Sequence, residues 1–300
     1  MKIIYGLNNI GKIKKPVVAL GVFDGVHRGH RRILKAAAHK AQAIGGTSIV
    51  LTFWPHPQKQ ASLYSLEHRL RLIAELGIDI CVVINFTGSF AGIPAEDFIK
   101  NILAGRIGAK YVYVGKDFRF GRKAQGDFNL LTIIGEEYGF KARGINIIKV
   151  QGRAISSTLI RRLIKRGDIR QAERLLSRPV SILGTVIKGT AVGRILGFPT
   201  ANINPHHEVI PACGIYAVRI IFDGDKLQGA CYIGRRPTLE LKNKKVHIEV
   251  HIFNFKRNIY GKYLEVQFVK MVRPDRRFAS LALLAGQIRK DIILCKRLLA

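Results

Sequence analysis

Residues 21–30 read Gly-Val-Phe-Asp-Gly-Val-His-Arg-Gly-His and bring two imidazole side chains, His27 and His30, together in a glycine-rich segment. Imidazole N–H groups donate hydrogen bonds to phosphate oxygens without acting as nucleophiles. Gly25 and Gly29 allow a ligand to approach the backbone closely, and a helix starting here favours negative charge at its N-terminus. The pattern indicates phosphate binding, although paired histidines at a helix start are also common as surface residues.

A second glycine-rich segment, residues 184–202, has glycines at 184, 189, 193 and 197. Such a segment brings backbone amides close to a phosphate, and it equally suits tight turns in a small barrel. Residues 246–252 alternate between polar and apolar types, which predicts a strand with His247, Glu249 and His251 opposite the Val/Ile core face. Glu249 is therefore either a candidate base or a solvated strand carboxylate.

Two further segments combine suitable residue types. Residues 115–121, Gly-Lys-Asp-Phe-Arg-Phe-Gly, place aromatic rings beside an arginine. These rings either stack on a planar heterocycle or belong to the core. Residues 156–158, Ser-Ser-Thr, precede a helical stretch at 159–166. One of these three hydroxyl residues is the natural N-cap of the helix, which alone could explain them. Because Arg161 follows one turn further on, the start of this helix is also a second candidate anion site.

The elements that must position these residues alternate between strand and helix in the first half. Buried strands are predicted at 16–23, 47–54, 80–84 and 111–114, and helices at 31–44, 66–76, 95–103 and 159–166. This alternation predicts a mostly parallel sheet with right-handed crossovers. The histidine segment and residues 115–121 each follow a strand, so both are expected at the sheet edge where α/β proteins bind anionic ligands.

The pattern changes after Ser177-Arg178-Pro179. Short period-two runs at 216–222, 246–253 and 263–269 predict a small antiparallel barrel, and helical spacing at 281–299 predicts a terminal helix. We therefore predict a Rossmann-like α/β domain with a parallel sheet at residues 1–178. A small antiparallel β-barrel domain with a terminal helix is predicted at residues 179–300.

Three motifs carry a resemblance to a known family. His-x-Gly-His, with Phe-Asp-Gly ahead of it, resembles the first signature of the nucleotidyltransferase superfamily, and Ile-Ser-Ser-Thr-x-Ile-Arg at 155–161 resembles the second. Gly-Phe-Pro-Thr-Ala-Asn at 197–202 closely resembles the riboflavin kinase motif. Over essentially its whole length the chain is similar to the bacterial bifunctional riboflavin kinase/FMN adenylyltransferase (FAD synthetase) family. The resemblance implies phosphorylation of riboflavin to FMN by ATP in the C-terminal half, then adenylylation of FMN to FAD, with release of pyrophosphate, in the N-terminal half.

The same resemblance implies roles for individual residues. His27 and His30 hold ATP phosphates, and Arg161 contacts the triphosphate. Glu249 deprotonates the ribityl hydroxyl. Thr200 and Asn202 bind the Mg²⁺ that accompanies ATP, and their oxygen atoms suit such a hard cation. Further ATP or phosphate contacts are expected from Gly21, Phe23, Asp24, Gly25, Gly29, Ser157, Thr158, Gly189, Gly193, Gly197 and Pro199. Flavin contacts are expected from Asp117, Phe118, Phe120, Arg273 and Asp275.

Two positions depart from the family pattern. Tyr232 stands where asparagine is expected ahead of the Gly-x-Arg-Pro-Thr segment at 234–238, and Asp275 stands where Arg-x-Glu is usual. Aspartate keeps the carboxylate but shortens its reach. We expect these departures to bear most on flavin affinity in the kinase half.

The composition narrows the class of protein. No apolar run approaches the roughly 20 residues of a membrane helix, and the first residues lack the pattern of a signal peptide. The four cysteines contain no Cys-x-x-Cys pair, so neither a zinc site nor a disulfide framework is indicated. We expect a cytoplasmic enzyme with small-molecule substrates and no membrane partner, either a monomer or a weak homo-oligomer.

The charge balance leaves alternatives open. Fifty Lys and Arg against 20 Asp and Glu give a net charge of +30, and the excess is spread over both halves. Such a charge attracts polyanions, nucleic acid included. One alternative is thus a basic nucleic-acid-associated protein, but no recognisable nucleic-acid module is present and no specific nucleic-acid partner is expected. The other is a single-activity FMN adenylyltransferase with an impaired kinase half.

Overall fold

The computed structural model describes residues 1–57, 61–150, 152–189, 192–206, 208–235 and 246–300. Within these ranges the chain forms two compact units. The first contains Met1–Ser62 and Leu66–Ser157, and the second contains Leu63–Ser65 and Thr158–Ala300.

The first unit is built on a six-stranded parallel sheet. Its strands are β1 (Lys2–Tyr5), β2 (Pro16–Leu20), β3 (Thr47–Trp54), β4 (Ile80–Asn85), β5 (Tyr111–Gly115) and β6 (Lys141–Ile145). They lie in the order β1-β4-β3-β2-β5-β6, with every neighbouring pair parallel. β2 is buried along its whole length, as expected for a central strand of a parallel sheet that is covered on both faces.

The strand order reverses between β2 and β5. From β2 the chain continues to β3 and β4 on one side of the sheet, whereas β5 and β6 lie on the other side. Open α/β sheets bind ligands in the crevice at the carboxyl ends of their strands, at such a switch point. The histidine segment follows β2 and residues 116–121 follow β5, so the topology brings the two predicted segments to one crevice.

Helices connect these strands. They are α1 (Arg28–Ala43), α2 (Leu66–Ala74), α3 (Gly88–Ala91), α4 (Ala95–Asp97), which continues as a π-helix (Phe98–Arg106), a 3₁₀ turn (Arg122–Ala124) and α5 (Phe128–Glu137). A two-stranded ribbon, β7 (Lys149–Val150) and β8 (Arg153–Ala154), follows β6. Helix α1 buries one stripe, Ile33, Leu34, Ala37 and Ala41, at the spacing that predicted it.

The second unit is a closed antiparallel barrel. This unit also contains nearly all of helix α6 (Ser157–Arg166), helix α7 (Ile169–Leu176), the short helix α8 (Val192–Ile195) and the terminal helix α9 (Leu281–Leu299). The strands are β9 (Val180–Ile187), β10 (Ala201–Asn204), β11 (Gly214–Phe222), β12 (Asp225–Arg235), β13 (Val246–Ile252) and β14 (Tyr263–Pro274), closed in the order β10-β13-β12-β11-β14-β9. α9 packs on the barrel through Cys295 and Leu299, which meet Ile215, Ala217 and Phe253.

A short piece of the first half of the chain belongs to the barrel unit. Glu208 is 4% exposed, and its carboxylate accepts hydrogen bonds from the backbone N–H groups of Ser65 (2.9 Å) and Leu183 (3.2 Å). Nearby, the Arg178 guanidinium lies 5.0 Å from the ring centre of the buried Tyr64. These contacts explain why Leu63–Ser65 is grouped with the barrel.

The predicted fold class is confirmed in both units. Strand β2 ends at Leu20 rather than at the predicted Phe23, because the backbone of Phe23 turns into the left-handed region (φ 52°). The patterns did not predict several elements: the edge strands β1 and β6, the barrel strands β9, β10 and β12, helix α5, the short helices α3 and α8, and the β7–β8 ribbon. Among the described residues, no helix combines the length and apolar character that crossing a membrane requires.

Candidate functional sites

The histidine segment forms a tight turn between β2 and α1. His27 is the N-cap of α1, and its Nδ1 accepts a hydrogen bond from the backbone N–H of His30 (3.4 Å). Because Nδ1 accepts, a neutral His27 carries its proton on Nε2, which makes Nε2 the donor. The two imidazoles stack with their centroids 3.6 Å apart. The first turn of α1 contains no acidic residue, so the positive end of the helix dipole is not offset by a carboxylate there.

The backbone of this turn is strained. Phe23 and Val26 have φ values of 52° and 39°, and Gly25 between them has 83°. A left-handed β-branched residue is costly, and such strain persists only where the surroundings enforce it. Here both side chains are buried, at 1% and 0% exposure. The turn is therefore held in one shape by its packing.

Two predicted glycines lie directly under ring side chains of the turn. A Cβ at Gly21 would lie 3.1 Å from the Phe23 ring, and one at Gly29 would lie 3.2 Å from Cε1 of His27. The ring of Phe23 also meets His30 edge-on, with centroids 5.4 Å apart. A side chain at Gly29 would thus displace the imidazole of His27.

Arg69 on α2 is a buried support of the turn that sequence patterns did not indicate. Its guanidinium is 1% exposed and donates to the carbonyl oxygens of Val22 (2.6 Å) and Phe53 (3.1 Å). Burial lowers the pKa of Arg69, while the charge of Asp24 acts in the opposite direction. A second support comes from Ser157, whose Oγ donates to the carbonyl oxygen of the buried Asp24 (2.7 Å). The predicted contact residue Ser157 therefore fixes the backbone of the turn.

The segment after β5 contains two phenylalanine rings, one in the core and one partly exposed. Phe120 is 8% exposed and belongs to the hydrophobic core, whereas Phe118 is half-buried and stacks on it, with centroids 5.9 Å apart. Asp117 and Arg119 are exposed, and Arg119 pairs with Asp127 at 3.0 Å. Asp127 caps α5 through the N–H of Leu130, and this hydrogen bond, followed by Arg119, lowers the pKa of its carboxyl. Phe118 is thus the ring of the pair that keeps an exposed face.

Thr158 and Arg161, which are predicted to contact the triphosphate, lie in the first turns of α6 and belong to the second unit. Arg161 is 9% exposed. Their contribution to the nucleotidyl-transfer site stays a prediction.

In the barrel, six residues occupy one register row across neighbouring strands. Paired positions run from β9 through β10, β13, β12 and β11 to β14 as Ile187, Asn202, Glu249, Tyr232, Ile215 and Arg273. We call this set the barrel row. Because directly paired residues of antiparallel strands point to the same face, the row gathers residues from distant parts of the sequence on one side of the sheet. Ile248, Val250 and Ile252 are buried on the opposite face of β13, which confirms the predicted alternation.

Three predicted kinase residues meet within this row or beside it. Thr200 Oγ1 donates a hydrogen bond to Oε2 of Glu249 at 3.3 Å, and Asn202 is directly paired with Glu249. A Cβ at Gly189 would collide with the carboxamide of Asn202. A Cβ at Gly193 would meet Thr200 Oγ1 at 3.1 Å. The two predicted glycines therefore leave the space that the Thr200 and Asn202 side chains occupy.

His251 holds the backbone next to Thr200. The sequence pattern predicted His251 only as a residue of the polar face of its strand. His251 Nδ1 donates to the carbonyl oxygen of Pro199 (2.8 Å). Gly197 has a φ of 83°, which a residue with a side chain rarely adopts. Phe198 N–H donates to the carbonyl oxygen of Gly193 (2.7 Å) and closes the loop.

The end of β14 carries the predicted flavin contacts Arg273 and Asp275. Arg273 forms a bidentate ion pair with the buried Asp291 of α9, with Nη2–Oδ2 at 2.8 Å and Nε–Oδ1 at 3.1 Å. Asp275 instead accepts a hydrogen bond from the hydroxyl of Tyr232 at 3.3 Å. In the neighbouring Gly-x-Arg-Pro-Thr segment, residues 236–238 lie outside the described residues.

The fold and these two constellations define a class. A switch-point crevice with a histidine-capped helix start suits nucleotide phosphates, and a barrel face with a carboxylate beside hydroxyl and amide oxygens suits phosphoryl transfer to a hydroxyl. The chain is therefore a nucleotide-dependent transferase with two candidate sites.

Comparisons with known proteins identify the family. The chain matches the family models described as FAD synthetase over residues 10–159 and riboflavin kinase over residues 176–299. It is 36% identical to the bifunctional riboflavin kinase/FMN adenylyltransferase of Escherichia coli (strain K12), over 97% of this chain and 96% of that protein. It is 38% identical to the protein of the same name from Buchnera aphidicola subsp. Schizaphis graminum, over 99% and 98%. The chain belongs to the bifunctional riboflavin kinase/FMN adenylyltransferase family.

A solved structure has a similar fold. The crystal structure of a macrolide-efflux protein from Streptococcus pneumoniae matches this chain with a TM-score of 0.84 at 27% identity, covering 97% of each chain.

Proposed function

We propose that this chain converts riboflavin to FMN in its barrel unit and FMN to FAD in its α/β unit, each time with ATP. The observation that supports the proposal is that two separate clusters of candidate residues lie in one chain, with His27 inside the FAD synthetase match and Glu249 inside the riboflavin kinase match. Both family activities fit a bifunctional enzyme of flavin cofactor synthesis.

In the barrel unit, Glu249 is the proposed base. It accepts the proton of the terminal ribityl hydroxyl while that oxygen attacks the γ-phosphorus of ATP; the bond to the β,γ-bridging oxygen breaks and ADP leaves. In the free enzyme Thr200 donates to the same carboxylate, which keeps the carboxylate oriented within the barrel row. Gly189, Gly193 and Gly197 are the proposed backbone contacts of the ATP phosphates.

Magnesium fits the same place. Asn202 and Thr200 present an amide and a hydroxyl oxygen next to Glu249, and such all-oxygen donor sets suit a hard cation that keeps several waters. When bound, Mg²⁺ neutralises charge on the ATP phosphates. Thr200 and Asn202 are the residues that would hold it, and Gly189 and Gly193 leave room for their side chains.

In the α/β unit, the FMN phosphate attacks the α-phosphorus of ATP and pyrophosphate leaves. His27 donates from Nε2 to a phosphate oxygen, His30 is positioned by its stack on His27, and the α1 N-terminus adds a favourable field. Arg161, Ser157 and Thr158 complete the proposed triphosphate site. Asp117 and Phe118 are the proposed flavin contacts, with Phe120 supporting Phe118 from the core.

One assay tests the whole proposal. Purified protein is incubated with riboflavin, ATP and Mg²⁺, and the products are separated by chromatography. We expect FMN first, then FAD and pyrophosphate. FAD from supplied FMN without any FMN from riboflavin would support the single-activity alternative instead. No flavin turnover, with DNA affinity that falls steeply with salt, would support the nucleic-acid alternative.

We also propose that residues 1–178 and 179–300 are the two functional domains. The partners are small molecules, with no specific nucleic acid and no membrane, and the protein works in the cytoplasm as a monomer or weak homo-oligomer.

A further inference from the structure

The two residues that depart from the family pattern are in contact with each other. Tyr232 lies in β12 and Asp275 follows β14, 43 residues later, yet the phenol hydroxyl donates to Oδ2 of Asp275 at 3.3 Å. Burial, and after it Asp275, raise the pKa of Tyr232 to about 12. The phenol therefore keeps its proton at neutral pH and acts as the donor, while the carboxylate accepts.

The direction of the Tyr232 side chain is set by its own strand. A Cβ at Gly234, the next residue on the same face of β12, would collide with the phenol ring, so the ring lies over Gly234. Within the barrel row, Tyr232 is directly paired with Glu249 on one side and with Ile215 on the other. The ring thus stands beside the proposed base.

Asp275 lies in a segment whose other polar residues face helix α9. Arg273 is held by Asp291, and Arg276 donates to the carboxamide oxygen of Gln287, which itself donates to Asp291 (2.7 Å). Asp275, between the two arginines, turns instead to β12. The hydrogen bond between Asp275 and Tyr232 therefore connects residues 273–276 to β12, the strand that pairs with β13 at Glu249.

We infer that Tyr232 and Asp275 act as one matched unit, a long donor with a short acceptor, that positions residues 273–276 beside Glu249 and so sets how tightly riboflavin is held for phosphorylation. The inference rests on the proposed kinase function. A phenol reaches further than a carboxamide, and aspartate reaches one methylene less than glutamate. The longer donor and the shorter acceptor thus compensate for each other, and their hydrogen bond forms at 3.3 Å.

A double-mutant cycle tests this unit. Y232F removes only the hydroxyl and D275A removes the acceptor, so each should raise the KM for riboflavin about three- to tenfold, the effect of losing one ordinary hydrogen bond. The kcat and the KM for ATP should stay within twofold. Y232F/D275A should be no worse than D275A alone, because the hydroxyl then has no acceptor left to lose. The length-swapped pair Y232N/D275E, with a short donor and a long acceptor, should recover most of the parent KM, although Y232N and D275E alone do not.

Conversion of supplied FMN to FAD is measured on the same preparations as a check that each variant is folded, together with its thermal unfolding. Multiplicative KM effects in the double variant, unchanged KM in both single variants, or no recovery in Y232N/D275E would each overturn the matched unit. A parent enzyme that forms no FMN from riboflavin would refute the proposed kinase function itself. The two failures are therefore distinguishable.

Discussion

Glu249 and Asn202 are directly paired across β13 and β10, so the proposed base and a proposed Mg²⁺ ligand occupy neighbouring positions on one face of the barrel. Thr200 adds a hydroxyl that donates to the Glu249 carboxylate. The residue proposed to take the proton from the ribityl hydroxyl therefore lies next to the residues proposed to bind the ion that neutralises phosphate charge.

The first prediction concerns Glu249 itself. Glu249→Gln keeps the size of the side chain but removes its ability to accept a proton. We expect FMN formation to fall by about 100-fold or more, since a general base contributes on the order of 10²–10⁴, while supplied FMN is still adenylylated at the parent rate. Glu265→Gln, a partly buried strand carboxylate of the same barrel that accepts from Gln267, is the matched control and should remain active. Riboflavin phosphorylation within a few-fold of the parent in Glu249→Gln would remove this residue from the mechanism.

The second prediction uses the packing of Asn202 on Gly189. Gly189→Ala should push the carboxamide of Asn202 away, because a Cβ there collides with it. We expect the Mg²⁺ concentration for half-maximal riboflavin phosphorylation to rise about 10- to 100-fold, the usual effect of disturbing the support of a metal ligand. Gly286→Ala, where the added methyl meets nothing within 4 Å, is the control. An unchanged Mg²⁺ requirement in Gly189→Ala would contradict the ligand role of Asn202.

The third prediction concerns the histidine turn. Replacing both His27 and His30 by Ala should stop FAD formation from FMN, because the two imidazoles proposed to contact the phosphates are lost. Riboflavin phosphorylation should persist, since it uses the barrel. His39→Ala, an exposed position on the same helix, should leave both activities intact. Equal loss of both activities in a folded double variant would count against the assignment.

The fourth prediction concerns Arg69. Arg69→Leu removes two hydrogen bonds to main-chain carbonyl groups and leaves those groups buried, which is expected to cost about 1–3 kcal/mol of unfolding free energy after the relief of a buried charge. FAD formation should fall as well, since Val22 precedes the strained turn. Arg71→Leu, on the same helix, removes a half-exposed ion pair with Glu67 and should cost less than about 1 kcal/mol. Urea unfolding of both variants measures these losses of unfolding free energy. Equal losses in the two variants would mean that Arg69 does not support the turn.

The fifth prediction is a pH dependence. The pKa of Asp127 is lowered in the folded state, so its contribution to stability is present above the unfolded carboxyl pKa of about 3.9 and is lost as the pH falls through the folded pKa. Asp127→Asn should therefore destabilise the protein at pH 7, and the difference should be smaller at about pH 3, where part of this contribution has been lost. Unfolding curves at the two pH values measure this. The same difference at both would show that the carboxylate charge is not responsible.

Local patterns were sufficient for most of the fold. The fully buried strand β2, the alternation around Glu249 and the terminal helix α9 all follow from periodicities within one element. The edge strand β1 was missed because it is only four residues long and its two isoleucines are adjacent, which gives no period-two alternation although one of them is buried.

The missed site residues depend on contacts that no local pattern carries. Arg69 on a helix has the type of a surface residue, and its burial follows from two carbonyl groups on other elements. The left-handed backbone of Val26 contradicts the preference of a β-branched residue and is imposed by packing. The Tyr232–Asp275 bond joins positions that are distant in sequence, and each looked like an isolated departure until the barrel placed them together.

The hydrogen bond from Ser65 to Glu208 affects how the chain can be divided into stable fragments. The two activities are encoded in series, but the chain enters the barrel unit briefly at Leu63–Ser65 and again at Thr158, so no single cut yields both halves whole. A barrel fragment that starts after residue 157 lacks the Ser65 amide, and the buried carboxylate of Glu208 loses one of its donors. A barrel fragment is therefore expected to be more stable when a hydrogen-bond donor to Glu208 replaces the Ser65 amide.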